Sequence, residues 1–498
     1  MNKRQVTIAI IFLSVLFKIS FLKYPFFGLE YEDSYIYTGV SKYLQYNYEW
    51  AIDPFQTKMC SDGKLSDCYS YATYNGHSVF LPLLVSFLNR LVGFSVKNIF
   101  IINFIASVVS IVFFMKILFY LKSNSVTVFF TALVMTATPF LNLFNTSGLA
   151  ETLSGCFIIM SLYYYFKAHG NGFNVYEKYF WLFIVLFILS IVVKRENLVL
   201  VIIPITNLIW MIWHKHKANR FRLSFLMIVV VLLAVLYVNI AGIISMEIKE
   251  GRDIGTNTFA IQNLELILPK LAISFVKFKY FGITGILLVS SVIWAVLFST
   301  KLEYKVFGVT ALSYMLMYSL HYRSFDQVHF GAIGYFDTLR YTTNYFPIGC
   351  LCISQLDVPV LRHFRCSMPI LVLLFVGFML IENLCLRKEY SNVEFKQRIL
   401  PVVVSLKSTT DKDYILTDVP ILFYIYSANR HIVDIKLTSI NRIDFLMGSD
   451  RNGRLFYLRN VTGRRFNIDT LIFDHYTVIK LDSISSNFKL FTLSPKED

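Results

Sequence analysis

The sequence predicts an all-α polytopic membrane domain of about eleven transmembrane helices, followed by a small α/β domain outside the membrane. Three observations predict it. Of 498 residues, 56% are hydrophobic and 16% charged, where a soluble globular protein carries about 25% charged residues. Several apolar runs approach about twenty residues, enough to span the ~30 Å hydrocarbon core as a helix with its backbone hydrogen bonds made internally. The mean hydropathy of the whole chain is +0.56, yet its last stretch, 385–498, returns to ordinary polarity.

Spans are expected at roughly 5–24, 97–121, 125–144, 151–168, 179–194, 197–213, 223–245, 273–298, 306–321, 339–356 and 367–384. The first run ends Leu22-Lys23-Tyr24, which offers no small-residue cleavage site, so it reads as a signal anchor. Lys3 and Arg4, the basic connection 214–222, Lys301 with Lys305, and Arg362 with Arg365 all fall on one side when spans are counted. By the positive-inside rule that side is the cytoplasm. The odd count puts the C-terminus outside. The net charge of +15 therefore orients helices rather than binding nucleic acid, since its lysines and arginines sit in short loops between apolar runs. No internal repeat is visible.

Three segments break the hairpin pattern. The first outer loop, about 25–77, is long and acidic, and within it 35–46 places Ile36, Val40, Tyr43 and Leu44 on one helical face. After it, 78–95 is apolar but short, with Pro82 and Arg90 inside. Both suit interfacial helices lying along the membrane surface. The transmembrane domain is thus expected over 1–384 and the outer domain over 385–498, with strand-like runs at 413–417, 431–435 and 470–474. Of seven cysteines, Cys60 and Cys68 share the outer loop, where a disulfide is permitted; free thiols are the even alternative. The other five lie in or near spans and read as small apolar residues. No metal-type Cys/His spacing appears, so no metal site is assigned.

Candidate chemistry gathers at the outer ends of helices. Glu30-Tyr31-Glu32-Asp33 follows the first span, and paired carboxylates there can act as a general base or hold a hydroxyl. A solvated acidic loop is the plainer reading. Lys194-Arg195-Glu196-Asn197 puts three charges between two apolar runs on the outer side, against the positive-inside habit. A bound phosphate would favour them there; local pairing with Glu196 is the competing account. Arg340 precedes Tyr341 at the tenth span, as a headgroup or phosphate contact or a simple interface anchor. Glu151 opens the fourth span, either as a helix N-terminal charge or as a second site acid. The counted topology places all of these on one membrane face.

The segment Glu32-Asp33-Ser34-Tyr35-Ile36, with Gly39, Tyr43 and Leu44, resembles the acidic motif after the first span of the GT-C superfamily of integral-membrane glycosyltransferases. The family's bacterial branch related to protein O-mannosyltransferases and lipid A aminoarabinose transferase often ends in a small periplasmic domain, as 385–498 would. The resemblance implies two interfacial helices in the first outer loop, Asp33 as the catalytic acid residue with Glu32 beside it, and a small outer C-terminal domain. It further implies a polyprenyl-phosphate-linked sugar donor, a glycan, lipid or protein acceptor and surrounding membrane lipids. The chain shows neither a eukaryotic retention signal nor long disordered tails, which favours a bacterial inner membrane over an organelle membrane, with the N-terminus cytoplasmic by the charge count. Lys194, Arg195 and Arg340 would hold the donor phosphate. Glu32 stands where the family pattern has its first Asp, which leaves a divalent metal an open question. A flippase or transporter without chemistry is the alternative; the absence of paired repeats and the acidic first loop weigh against it. An O-antigen polymerase, a third reading, usually carries its large outer loop late in the chain.

Overall fold

The structure, a computed structural model, describes residues 2–22, 37–42, 44, 59–60, 68–69, 80–213 except 122 and 175, isolated positions between 264 and 281, 283–320, 342–355, 368–389, 400–406, 408–410, 413–417, 432–434, 454–460, 468–484 and 488–495. The expected span 223–245 lies outside them. The chain forms two compact units. One comprises Met1–Pro25, Gly76–Leu81 and Ile99–Tyr390, and the other Phe26–Asn75, Pro82–Asn98 and Ser391–Asp498.

The first unit is helical: α1 (Lys3–Leu22), then α2 (Phe80–Val92), whose first two residues belong here, and α3 (Lys97–Tyr120), which joins from Ile99 on. There follow α4 (Ser125–Ala137), α5 (Pro139–Asn145), α6 (Glu151–Gly170), α7 (Lys178–Val193), a 3-10 turn (Arg195–Val201), α8 (Ile202–Trp213), α9 (Ile283–Leu297), α10 (Leu302–Leu320), α11 (Thr342–Ile353) and α12 (Met368–Glu389). Among the described residues one helix, α3, is long and apolar enough to cross a membrane; α4 with α5 makes a second if the bent pair is one span.

The single span expected over 125–144 is in fact broken, with a 63° bend between α4 and α5. Pro139 explains the break: it has no N–H to donate and disfavours a helical conformation at the residue before it. Thr138 accordingly is extended (φ −60°, ψ 117°). The freed carbonyls find amide donors instead. Asn142 Nδ2 donates to Thr136 O at 3.0 Å and Asn383 Nδ2, from α12, to Ala137 O at 2.9 Å. An apolar interior tolerates a break only when such groups are satisfied again. The expected span 197–213 likewise begins as a 3-10 turn. Gly155 of α6 permits a close crossing with α11: a Cβ there would lie 3.3 Å from Thr343 O.

In the second unit, residues 37–42 and 44 are helical, and α2 from Pro82 onward packs on them. Asn89 Nδ2 reaches Ser41 O at 3.4 Å, and Arg90 Nη2 donates to Leu44 O at 2.6 Å. Strands β1 (Met59–Cys60) and β2 (Cys68–Tyr69) pair antiparallel with Cys60 opposite Cys68.

C-terminally, α13 (Leu400–Leu406), β3 (Tyr414–Thr417), β4 (Ile432–Asp434), β5 (Leu455–Asn460), α14 (Ile468–His475), β6 (Tyr476–Ser483) and β7 (Phe488–Pro495) complete the unit. The five-stranded sheet has order β4-β3-β5-β7-β6, parallel at β3 and antiparallel from β5 to β6. Alternation puts Tyr414 and Leu416, Leu455 and Tyr457, and Phe491 and Leu493 on one core with Ile472 of α14. The run 470–474, expected as a strand, therefore belongs to a helix. Its Ile472 and Phe473 cover the sheet face, and a short apolar run cannot by periodicity alone be told from a strand.

Candidate functional site

Glu151 opens α6 and Lys194 follows α7, 43 residues later, and the two meet as an ion pair: Lys194 Nζ donates to Glu151 Oε1 at 2.6 Å. The carboxylate is buried, its side chain 2% exposed, and the ammonium carrier 11% exposed. Lys194 thus reaches across to a carboxylate distant in sequence. Burial of both charges is costly unless the geometry and supporting hydrogen bonds are good.

The helix ends that carry the pair are themselves tied in place. The connection α5–α6 is held from α3, where Asn103 Nδ2 donates to Ser147 O at 2.6 Å and to Leu149 O at 2.7 Å. Thr152 Oγ1 donates back to Phe144 O at 2.9 Å. On the other side Lys194 N donates to Ser190 O, closing α7. One turn deeper, Asn197 Nδ2 bridges Ser154 Oγ at 2.8 Å and Ser190 O at 2.7 Å. Asn197 Oδ1 accepts from Tyr314 OH at 2.8 Å. Ser154 lies three residues after Glu151, and Asn197 three after Lys194, so the amide clamps the two helix ends at which the charges stand. Serine, asparagine and tyrosine here satisfy one another inside an apolar bundle, as buried polar groups must.

Below this clamp, Tyr314, Tyr318 and Tyr345 form a packed aromatic cluster, with ring centroids 6.1–6.4 Å apart. Asn344 Nδ2 donates to Tyr318 OH at 3.0 Å. Sequence reasoning named Asn197 beside Lys194 without giving it a role and gave none to these tyrosines, whose signal is polar groups inside otherwise apolar runs. It also passed over Lys18, which lies fully buried in α1 with its ammonium donating to Ser14 Oγ at 2.7 Å.

The other expected site residues fall elsewhere. Glu32, Asp33 and Arg340 lie outside the described residues, as does the side chain of Arg195, whose backbone opens the 3-10 turn. The same holds for the side chains of Cys60 and Cys68. Among the described residues no three His, Cys, Asp or Glu side chains gather as a metal would need, and Glu151 already has a cation against it.

No family model matches the chain, and no curated protein matches it in sequence. Solved structures do resemble it. ArnT from Cupriavidus metallidurans, bound to undecaprenyl phosphate, is 11% identical with a TM-score of 0.58, over 96% of this chain and 97% of that one. The oligosaccharyltransferase from Archaeoglobus fulgidus, in complex with zinc and sulfate, is 11% identical with a TM-score of 0.56, over 92% of this chain and 68% of that one. The same archaeal enzyme, AglB, with an inhibitory peptide and a dolichol-phosphate, gives 10% identity and a TM-score of 0.54 over 92% and 69%. At such identities the likeness is one of fold. In fold, the chain resembles the GT-C superfamily to which its 32–44 segment pointed.

Proposed function

We propose that the chain is a GT-C-type glycosyltransferase that moves a sugar from a polyprenyl-phosphate donor to a glycan, lipid or protein acceptor. The reaction would occur at the extracytoplasmic face of a bacterial inner membrane, across which about eleven helices run. The observation that carries this reading is the Glu151–Lys194 pair, a cation held buried at the ends of two helices in a fold shared with enzymes solved with polyprenyl phosphates. The counted topology puts that helix end on the outer side, together with the 385–498 domain.

The step is a displacement. The acceptor hydroxyl attacks the anomeric carbon, and its proton passes to the Asp33 carboxylate, with Glu32 alongside. The bond from the anomeric carbon to the donor phosphate breaks, and its electron pair leaves on the phosphate oxygen. Attack opposite the leaving group inverts the configuration. Lys194, Arg195 and Arg340 hold the phosphate and meet the charge that develops on it. Glu151 is a positioning residue: it fixes where the Lys194 ammonium stands.

The test is titration of donor and acceptor separately. In the folded full chain, Lys194→Gln should weaken the donor by about one to two orders of magnitude, the scale of a lost charge-assisted contact, and leave the acceptor constant unchanged. Asp33→Asn should lower transfer by roughly 10²-fold or more without weakening the donor. Equal weakening of both substrates by Lys194→Gln would remove the phosphate clamp. Wild-type transfer by Asp33→Asn would remove the base.

A further inference from the structure

At the opposite helix ends from Glu151, the first unit contains a cavity of about 460 Å³. The distance is set by α11: Thr343 lies against Gly155, one turn from Glu151, while Ser354 and Gln355 past the far end line the cavity. The 12 residues of that helix span about 18 Å. Ser123 and Asn124 before α4, Trp294 and Phe298 at the end of α9, and Lys301 before α10 contribute to the same walls.

The lining divides by chemistry. Trp294 and Phe298 are 50% and 61% exposed, and Leu297 beside them 63%, so one rim is apolar and open. The opposite wall is hydroxyl and amide, with Lys301 as the cation and no carboxylate among the described lining residues. The Lys301 ammonium stands 5.8 Å from the Tyr304 ring centroid and meets no carboxylate among the described residues. An aromatic rim beside a cationic, hydroxyl-rich wall is the pattern of a headgroup-level site at a membrane interface.

We propose that this cavity holds the phosphodiester headgroup of an anionic phospholipid, whose acyl chains lie along the exposed face of α9. Lys301 meets the phosphate, and the Ser and Asn groups meet the headgroup hydroxyls. The site is distinct from the proposed donor site, since it lies at the opposite helix ends and no carboxylate lines it among the described residues. The proposal stands on the cavity and not on the glycosyltransferase reading, and transfer activity is not its readout.

Native mass spectrometry of the full chain from nanodiscs tests it, with phosphatidylglycerol and phosphatidylcholine supplied in equal amount. The wild-type chain should retain phosphatidylglycerol preferentially. Lys301→Gln should weaken that retention about five-fold, the factor that one lysine contributes near an anionic surface. Lys301→Arg should restore it, and Trp294→Ala should weaken retention of both lipids. Soluble glycerol phosphate should not compete. Equal retention of the two lipids, or unchanged retention by folded Lys301→Gln, overturns the proposal. Full competition by glycerol phosphate overturns it in favour of a soluble anion.

Discussion

Removing one member of the Glu151–Lys194 pair should cost far more stability than removing both. In Lys194→Met the Glu151 carboxylate stays at 2% side-chain exposure with its 2.6 Å partner gone. Breaking a buried pair by removing one partner typically costs about 3–5 kcal/mol. Glu151→Leu keeps the volume close and removes the opposite charge; its cost should be smaller, because Lys194 is 11% exposed and its stem can carry the ammonium towards water. The double variant Glu151→Leu with Lys194→Met buries two apolar side chains of similar size, and such replacements are often near neutral. A coupling energy of about 2 kcal/mol or more should result, well above the scatter of additive pairs, about 0.3–0.5 kcal/mol. The assay is reversible unfolding in mixed micelles, each variant read at the same detergent composition. Costs that add within that scatter would refute the buried pair. A stable double variant that still binds donor as well as wild type would refute the phosphate role while leaving the pair intact.

In the second unit, burial raises the Asp413 carboxyl, but hydrogen bonds from Arg454, and from Thr410 N and Arg454 N, outweigh it and bring the group from 3.8 to about 2. A depressed acid contributes stability that is full above its unfolded value and lost as pH falls from about 4 through about 2, roughly 1–2 kcal/mol after allowing for the half-exposed Arg454. Hydrogen-exchange protection of Tyr414–Thr417 in the full chain should show that loss, and Asp413→Asn should abolish the pH difference; a loss that persists in the variant would assign it elsewhere. The antiparallel register sets Cys60 opposite Cys68, where Cα atoms lie about 4.5–5.5 Å apart, within reach of a disulfide. Non-reducing digestion of protein made in an oxidising compartment should yield a peptide joining residues 60 and 68, and quantitative alkylation of both thiols without reductant would rule the bond out. Cysteine labelling should reach 400–498 from the outer side and 214–222 only from the cytoplasm; outer labelling of 214–222 would separate the site residues onto two faces.

Hydropathy made most helices of the first unit legible, because a span must satisfy its backbone internally and so must be apolar over its length. It placed α3, α6, α7, α10 and α12 within a few residues of their observed ends. It could not show the bend at Thr138–Pro139, since the Asn142 and Asn383 amides that make the bend tolerable come from another turn and another helix. The five-stranded sheet was half legible. β3 and β4 were seen, but β5, β6 and β7 carry charges along their exposed sides, and α14 is apolar enough to pass for a strand.

The candidate site was legible only where charge broke a rule. Lys194 drew notice because a cation on the outer side defies the loop bias, and Glu151 because it stood at a helix start. Neither observation could pair them, since the ion pair joins positions 43 apart. What makes the pairing physically compelled is the shared frame. Asn197 ties Ser154 and Ser190 together and is itself fixed by Tyr314, so the ends of α6 and α7 have little freedom to separate. Such a frame is costly for a bundle to maintain if its only product is a buried salt bridge, which apolar residues would replace at no loss. A cation held in one place becomes worthwhile when an anion must arrive at that place. Lys18, buried in α1 with its amine on the Ser14 hydroxyl, is a second basic side chain that the bundle keeps inside, and it is the next residue to replace in the donor titration.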